Sequence, residues 1–277
     1  MFQQSPIGAI VLAVSLLTSA SVKAHDQSKY PDWQGQWVRA HPRAQWDPSK
    51  ARGLAQQAPL IPEYQAIFEA ALQALHSGAL GADPQIDCLP AGMPRMMIAY
   101  EPLEVIVTDA ITYIRTDHLA ELRRIYTDGR DWPTAIRPSF EGYSIGKWID
   151  EDGDGRYEKL EVETRAFKGP RTLDADGLPL HKDNRTVVKE KIYLDRNNSD
   201  ILHDEITTID NALSRPWTVD RIYLRVRVPL WIEKNCHESN PHLTIGREEY
   251  FLSADNKLMP VRKDQPPPAL QHFRQPQ

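Results

Sequence analysis

The chain has 277 residues, with 33 Lys and Arg interspersed among 38 Asp and Glu, and a formal net charge of −5 at pH 7. No basic stripe points to a nucleic-acid partner, and the length suits one large β-domain with insertions. Beyond the first residues no apolar run approaches the roughly 20 residues of a membrane-spanning helix.

In chain order, Ile7 to Leu17 form a short apolar core, and Val22-Lys23-Ala24 supplies a small-x-Ala cleavage pattern before His25. Residues 1–24 therefore read as a secretory signal peptide, and the mature chain as periplasmic or secreted. Loss of Lys23 leaves 32 bases against 38 acids, a balance of −6. A mature amino-terminal His25 is a copper ligand only if a second histidine meets it in fixed geometry.

Pro31-Asp32-Trp33 and Gly35-Gln36-Trp37 come next. The second of these resembles the G-x-W at the first strand of lipocalin and calycin barrels, which implies a barrel with a tryptophan plugging one end. The stretch from His41 to Pro59 is rich in Pro, Ala and Gln and has no period. From Pro62 to Leu75 the spacing of Tyr64, Ile67, Phe68, Leu72 and Leu75 predicts one N-terminal helix, opened by Pro62, closed by Ser77-Gly78, and packed against a sheet. Asp83 to Pro94 is a proline-punctuated loop carrying Cys88.

After Leu103 the pattern changes to about nine short β-branched runs, in the segments 103–107, 111–115, 122–126, 144–149, 160–164, 186–194, 201–209, 218–228 and 248–252. Short turn-forming separators such as Thr127-Asp128-Gly129 predict an antiparallel meander. So many successive strands favour closure into a calycin-like barrel or a curled sheet, because closure removes exposed edges. The fold class is thus mainly β, with one domain over residues 25–262 and a proline-rich disordered tail over 263–277.

Between two of these runs lies Asp150-Glu151-Asp152-Gly153-Asp154-Gly155-Arg156-Tyr157-Glu158-Lys159-Leu160-Glu161. It fills every position of the twelve-residue calcium loop of EF-hands, D-x-[DN]-x-[DN]-G-x5-E. Asp150, Asp152 and Asp154 supply short carboxylates, Gly155 the sharp turn, Arg156 a backbone carbonyl, Glu158 a water-mediated contact and Glu161 a bidentate closure. The flanking runs are strands, so the resemblance to the EF-hand stops at the loop. Ca²⁺ is the cofactor this implies, at an affinity of about 10⁻⁴ to 10⁻³ M typical of extracellular sites. A hydrated polar turn is the alternative reading, since Asp and Gly are also the commonest turn residues.

Cys88 and Cys236 are the only cysteines. An even count in an exported chain favours a disulfide, worth up to about 4 to 5 kcal/mol for so long a loop in the chain-entropy picture. The competing reading makes Cys236 and His237 metal ligands or a thiol nucleophile.

Several further groups are candidates for chemistry. His203 and Glu205 lie two apart on one strand face, where they form an acid and base pair if that face lines a barrel interior, and a surface pair if it does not. Arg124 and Tyr126 share a face in the same way and suit a carboxylate or phenolic ligand. His181 sits in the long aperiodic segment Lys168 to Arg185, of a kind often used as a lid. Gly142-Tyr143-Ser144-Ile145-Gly146 matches the G-x-S-x-G elbow, but a strand rather than a helix follows it. Trp37, Trp148, Trp217 and Trp231 read as barrel core.

The stretches Pro31-Asp32-Trp33, Pro62-Glu63-Tyr64-Gln65, Cys88 to Met96, Arg123 to Arg130 and Gly142 to Trp148 resemble a group of uncharacterised exported bacterial proteins. That resemblance covers most of the mature chain and implies a single exported domain without implying an activity. The leading expectation is an exported barrel that binds a small organic molecule at its mouth and holds a structural calcium. The alternatives are a barrel enzyme using His203, Glu205 and His181 in acid and base chemistry, and an envelope interaction module.

Overall fold

A computed structural model describes residues 26–41, 45–79, 81–98, 100–118, 121–230, 236, 242–245, 248–253 and 257–267. Residues 1–24, which read as a signal peptide, and His25, Trp231 and His237 lie outside these residues.

Nine strands close into a barrel: β1 Gly35–Arg39, β2 Leu103–Val107, β3 Ile111–Thr116, β4 Glu121–Tyr126, β5 Tyr143–Ile149, β6 Lys159–Arg165, β7 Val187–Leu194, β8 Ile201–Ile209 and β9 Trp217–Val226. Order around the barrel follows the chain, and β1 pairs with β9 to shut it. The expected antiparallel meander needs one correction, because β4 and β5 pair in parallel through Ile125–Ser144 and Tyr126–Ile145. Strand directions cannot alternate all the way round a ring of nine, so at least one neighbouring pair must be parallel. The long connection 127–142 permits the crossover at this place.

The run at 248–252 also falls elsewhere than expected. It forms β11 Glu248–Leu252 in a separate three-stranded sheet with β10 His242–Ile245 and β12 Leu258–Pro260. The segment containing Gly35-Gln36-Trp37 takes its place in the barrel. Of the tail, residues 263–267 are described, and the Pro266 carbonyl accepts from Tyr250 Oη at 3.0 Å.

Alternation sorts the side chains. On β4, Glu121, Arg123 and Ile125 are buried while Leu122 and Arg124 are exposed. On β8, Leu202, Asp204, Ile206 and Thr208 point inward. The interior is filled by apolar residues such as Val105, Leu160, Val188 and Val219, interrupted by a polar layer. There Arg123 forms a buried bidentate pair with Glu190 and donates to Ser144 Oγ at 3.2 Å and Thr164 Oγ1 at 2.9 Å. Ser144 of the G-x-S-x-G stretch is therefore a core hydrogen-bonding group. Asp204 beside it is wholly buried, and neither carboxylate oxygen has a hydrogen-bond partner among the described residues. Loss of solvent, reinforced by Glu190, pushes its pKa well above the ordinary carboxylate range.

The barrel has two dissimilar ends. One carries the β5–β6 and β7–β8 hairpins and is filled by aromatic rings. Trp33 and Trp148 lie 4.8 Å apart, and Trp37 donates to the Trp33 carbonyl at 2.9 Å under the guanidinium of Arg225. Trp37 and Trp148 are thus core, as is Trp217. The other end is covered by the insertion between β1 and β2 and by residues 166–186. Met93, Met96, Met97 and Ile98 are buried with the barrel core, and Tyr223 Oη donates to the Met97 carbonyl at 2.6 Å.

The helix α1, Pro62–His76, begins with Pro62 at its first turn and ends at Ser77. It buries Tyr64, Phe68 and Ala71, while Ile67 stays 44% exposed. Its partner is the 171–182 segment, where Tyr64 meets His181 with ring centroids 5.0 Å apart and accepts from the Lys182 amide. Cys88 and Cys236 are joined, linking the covering insertion to the segment after β9. The thiol and metal-ligand readings of Cys236 are thereby set aside. Among the described residues no helix is long and apolar enough to cross a membrane.

Candidate metal centre and adjoining groove

The β5–β6 hairpin turns through residues 150–158. Oxygens of Asp150, Asp152, Asp154 and Glu158 all lie within 4.8 Å of one another at its tip. The loop's own amides shape it: Gly153 and Gly155 donate to the two oxygens of Asp150 at 2.7 and 2.9 Å, and Arg156 donates to Asp154 Oδ1 at 2.8 Å. Gly155 has φ +89°, the left-handed backbone expected at this position and available to glycine without a Cβ penalty. The Arg156 side chain leaves the acids and donates to the Ser28 carbonyl at 3.3 Å, while the Tyr157 amide donates to Lys29 O at 2.8 Å. The hairpin thus rests on the segment Ser28-Lys29 ahead of β1.

Glu161 does not join these four acids. In an EF-hand the last ligand returns over the ion because a helix follows the loop. Here β6 follows, and a strand advances about 3.3 Å per residue away from the turn. Glu161 instead stands between its cross-strand neighbours Lys147 and Lys191. That row continues to Glu205 and Asp220, giving the sequence Lys, Glu, Lys, Glu, Asp across the outer wall. Along this row Lys147, Glu161, Lys191 and Glu205 set opposite charges side by side, and the last step, Glu205 to Asp220, sets two acids together.

His203 and Glu205 share a face as the spacing predicted, and it is the outer one. The reason is parity, since both faces of β8 carry Ile or Leu and burial selects the set containing Asp204. Glu205 accepts from Tyr193 Oη at 2.8 Å, Tyr193 stacks on His203 with centroids 5.1 Å apart, and His203 Nδ1 lies 2.9 Å from Asp220. Burial, then the Glu205 carboxylate, pushes the Tyr193 phenol up, so it holds its proton.

His181 is far from this cluster in the fold. Its amide donates to Asp210, just past the opposite end of β8, and its Nδ1 faces Asp183 at 2.9 Å. The triad of His203, Glu205 and His181 is therefore not assembled. Arg124 and Tyr126 also share the outer face, where Tyr126 stacks on Tyr143 and lies under the Arg130 guanidinium at 3.9 Å. The inward arginine of that strand is Arg123.

A groove of about 750 Å³ runs between the acidic hairpin and the β7–β8 hairpin, lined in part by Asp152, Glu158, Lys191, Tyr193, Arg196 and Glu205. Lys159 pairs with Glu151, and Arg196 approaches the same carboxylate at 3.5 Å, tying the two hairpins together. A second groove of about 550 Å³ crosses the same row of cross-strand charges, lined in part by Lys147, Glu161, Lys191 and Glu205.

Sequence reasoning missed the inward charges Glu121, Arg123, Glu190, Asp204 and Arg221. Each stands in a strand of the right period, but only the fold tells which parity faces inward. Comparison with protein-family models and with curated proteins finds no match to this chain.

Proposed function

We propose that this is an exported calcium-binding barrel protein, in which the ion fixes the 150–158 hairpin and so shapes the adjoining groove for a small organic molecule. The observation that carries the reading is the donor set: four carboxylates converge within 4.8 Å, and the neighbouring arginine turns away from them. Hard oxygen donors of this kind suit Ca²⁺ rather than softer metals. Asp150, Asp152, Asp154 and Glu158 would hold the ion, which supplies positive charge that relieves their mutual repulsion. Asp152 and Glu158 also line the groove, so an ordered loop gives that groove a fixed wall. The disulfide supports an oxidising compartment outside the cytosol.

Calorimetric titration of the processed, chelator-stripped protein with CaCl₂ tests this. Saturable heat with a dissociation constant of about 10⁻⁴ to 10⁻³ M is expected, and it is absent from the Asp152→Ala/Asp154→Ala variant. No heat from the parent protein removes the metal. For the groove, thermal-shift screening of a panel of small aromatic acids and amines should yield binders whose shift is reduced in Glu205→Gln and by chelator. Shifts indifferent to both place the ligand elsewhere.

A further inference from the structure

Inside the barrel, Asp204 lies within electrostatic reach of Glu190, Arg123 and Arg221, and these four groups are satisfied unequally. Arg123 spends Nε, Nη1 and Nη2 on Ser144, Glu190 and Thr164, and both Glu190 oxygens are taken by Arg123. That pair is closed. Arg221 donates twice from Nη1, to the Gln45 carbonyl at 3.1 Å and the Trp46 carbonyl at 2.8 Å, so its guanidinium is drawn toward the insertion that covers the barrel end. Its Nε and both oxygens of Asp204 have no hydrogen-bond partner among the described residues.

Asp204 and Arg221 are nonetheless direct partners across the β8–β9 ladder, the first wholly buried and the second 2% exposed. No other side chain can serve Asp204. Its partner on β7 is Ile192, and the inward residues on either side of it along β8 are Leu202 and Ile206, all apolar and buried. A carboxyl removed from bulk solvent is almost always hydrogen-bonded, either by the chain or by an ordered water. With Arg123 fully used and Arg221 Nη1 committed to two carbonyls, the donor must come from outside the chain.

We propose that a water molecule is bound inside the barrel between Asp204 and Arg221, accepting from Arg221 Nε and donating to the Asp204 carboxyl. Charge decides the kind of occupant. Two guanidiniums already stand with two carboxyl groups, so a cation would add unbalanced charge to the interior, and an anion would face Asp204 and Glu190. Water is neutral, donates and accepts at once, and is small enough to sit among Leu202, Ile206 and Ile192. The bridge continues through Arg221 Nη1 to Gln45 and Trp46, and so joins the barrel wall to the covering insertion. This site is independent of the acidic hairpin and of any ion held there.

A high-resolution crystal structure of the processed, oxidised protein tests the site directly. Expected is an ordered water within about 3.2 Å of both Arg221 Nε and an Asp204 oxygen. Density that brings Asp204 into contact with Arg221 or another group of the chain, or that shows no water at Asp204, overturns the proposal. In solution, oxygen-17 relaxation dispersion counts the long-lived internal waters, and the apolar replacement Asp204→Leu/Arg221→Met should lose at least one of them relative to the parent protein. An equal count in the folded double variant overturns the proposal as well. If that variant fails to fold, the crystallographic result on the parent protein decides alone.

Discussion

The two ends of the barrel use the same residue types to opposite effect. At the hairpin end Asp152 and Asp154 are exposed on a turn, and water shares the cost of holding their charges together. At the covered end Asp174 is wholly buried, accepting from Gln56 Nε2 at 2.7 Å and from two loop amides, and burial raises its pKa. An exposed carboxylate can exchange water for another partner, whereas a buried one is committed to its donors or to a proton. Solvation, rather than residue identity, separates an acidic cluster that could hold a metal ion from a structural network here.

The sharpest break in that comparison lies between the ends, at Arg123. Arg123→Met leaves Glu190 buried and alone, and should lower unfolding free energy by about 3 to 5 kcal/mol in urea titration. The double variant Arg123→Met/Glu190→Leu should recover much of the loss. Separating Cys88 from Cys236 by Cys236→Ser should cost about 2 to 4 kcal/mol, with hydrogen exchange increasing first around Cys88.

At the hairpin end the expected effects are smaller and depend on conditions. Calcium at 10 mM should stabilise the parent protein by roughly 1 to 3 kcal/mol relative to chelator, and Asp152→Ala/Asp154→Ala by nothing measurable. For Glu121 the sign follows from its upward shift from 4.5 to about 7. Between those values the folded state binds more protons than the unfolded chain, so stability is greatest below 4.5 and declines as pH rises through 7. Denaturation between pH 4.5 and 8 should show a contribution on the order of 1 to 3 kcal/mol that Glu121→Gln abolishes. Least consequential is the outer wall, where Lys191→Met or His203→Ala should change stability by less than about 1 kcal/mol.

Much of this architecture is legible in the chain. Helix α1 follows from Pro62 and the spacing of Tyr64, Phe68 and Leu72, and eight of the barrel strands follow from short β-branched runs bounded by turn residues. The pairing of Cys88 with Cys236 follows from there being only two cysteines. The loop acids Asp150, Asp152, Asp154 and Glu158 are recognisable because ligands on one short turn meet through local geometry alone.

What only tertiary structure decided is whatever depends on a partner distant in sequence. Glu161 lies three residues past Glu158, yet strand geometry delivers it to Lys147 and Lys191 instead of to the acids. His203 and Asp204 are adjacent in β8, and only closure of the barrel determines which is wet and which is dry. Position 121 is an ordinary glutamate until the segment around Gly92 covers it. Local patterns set the backbone's path, while the chemistry of an ionisable side chain is set by desolvation, which depends on which other segments cover it.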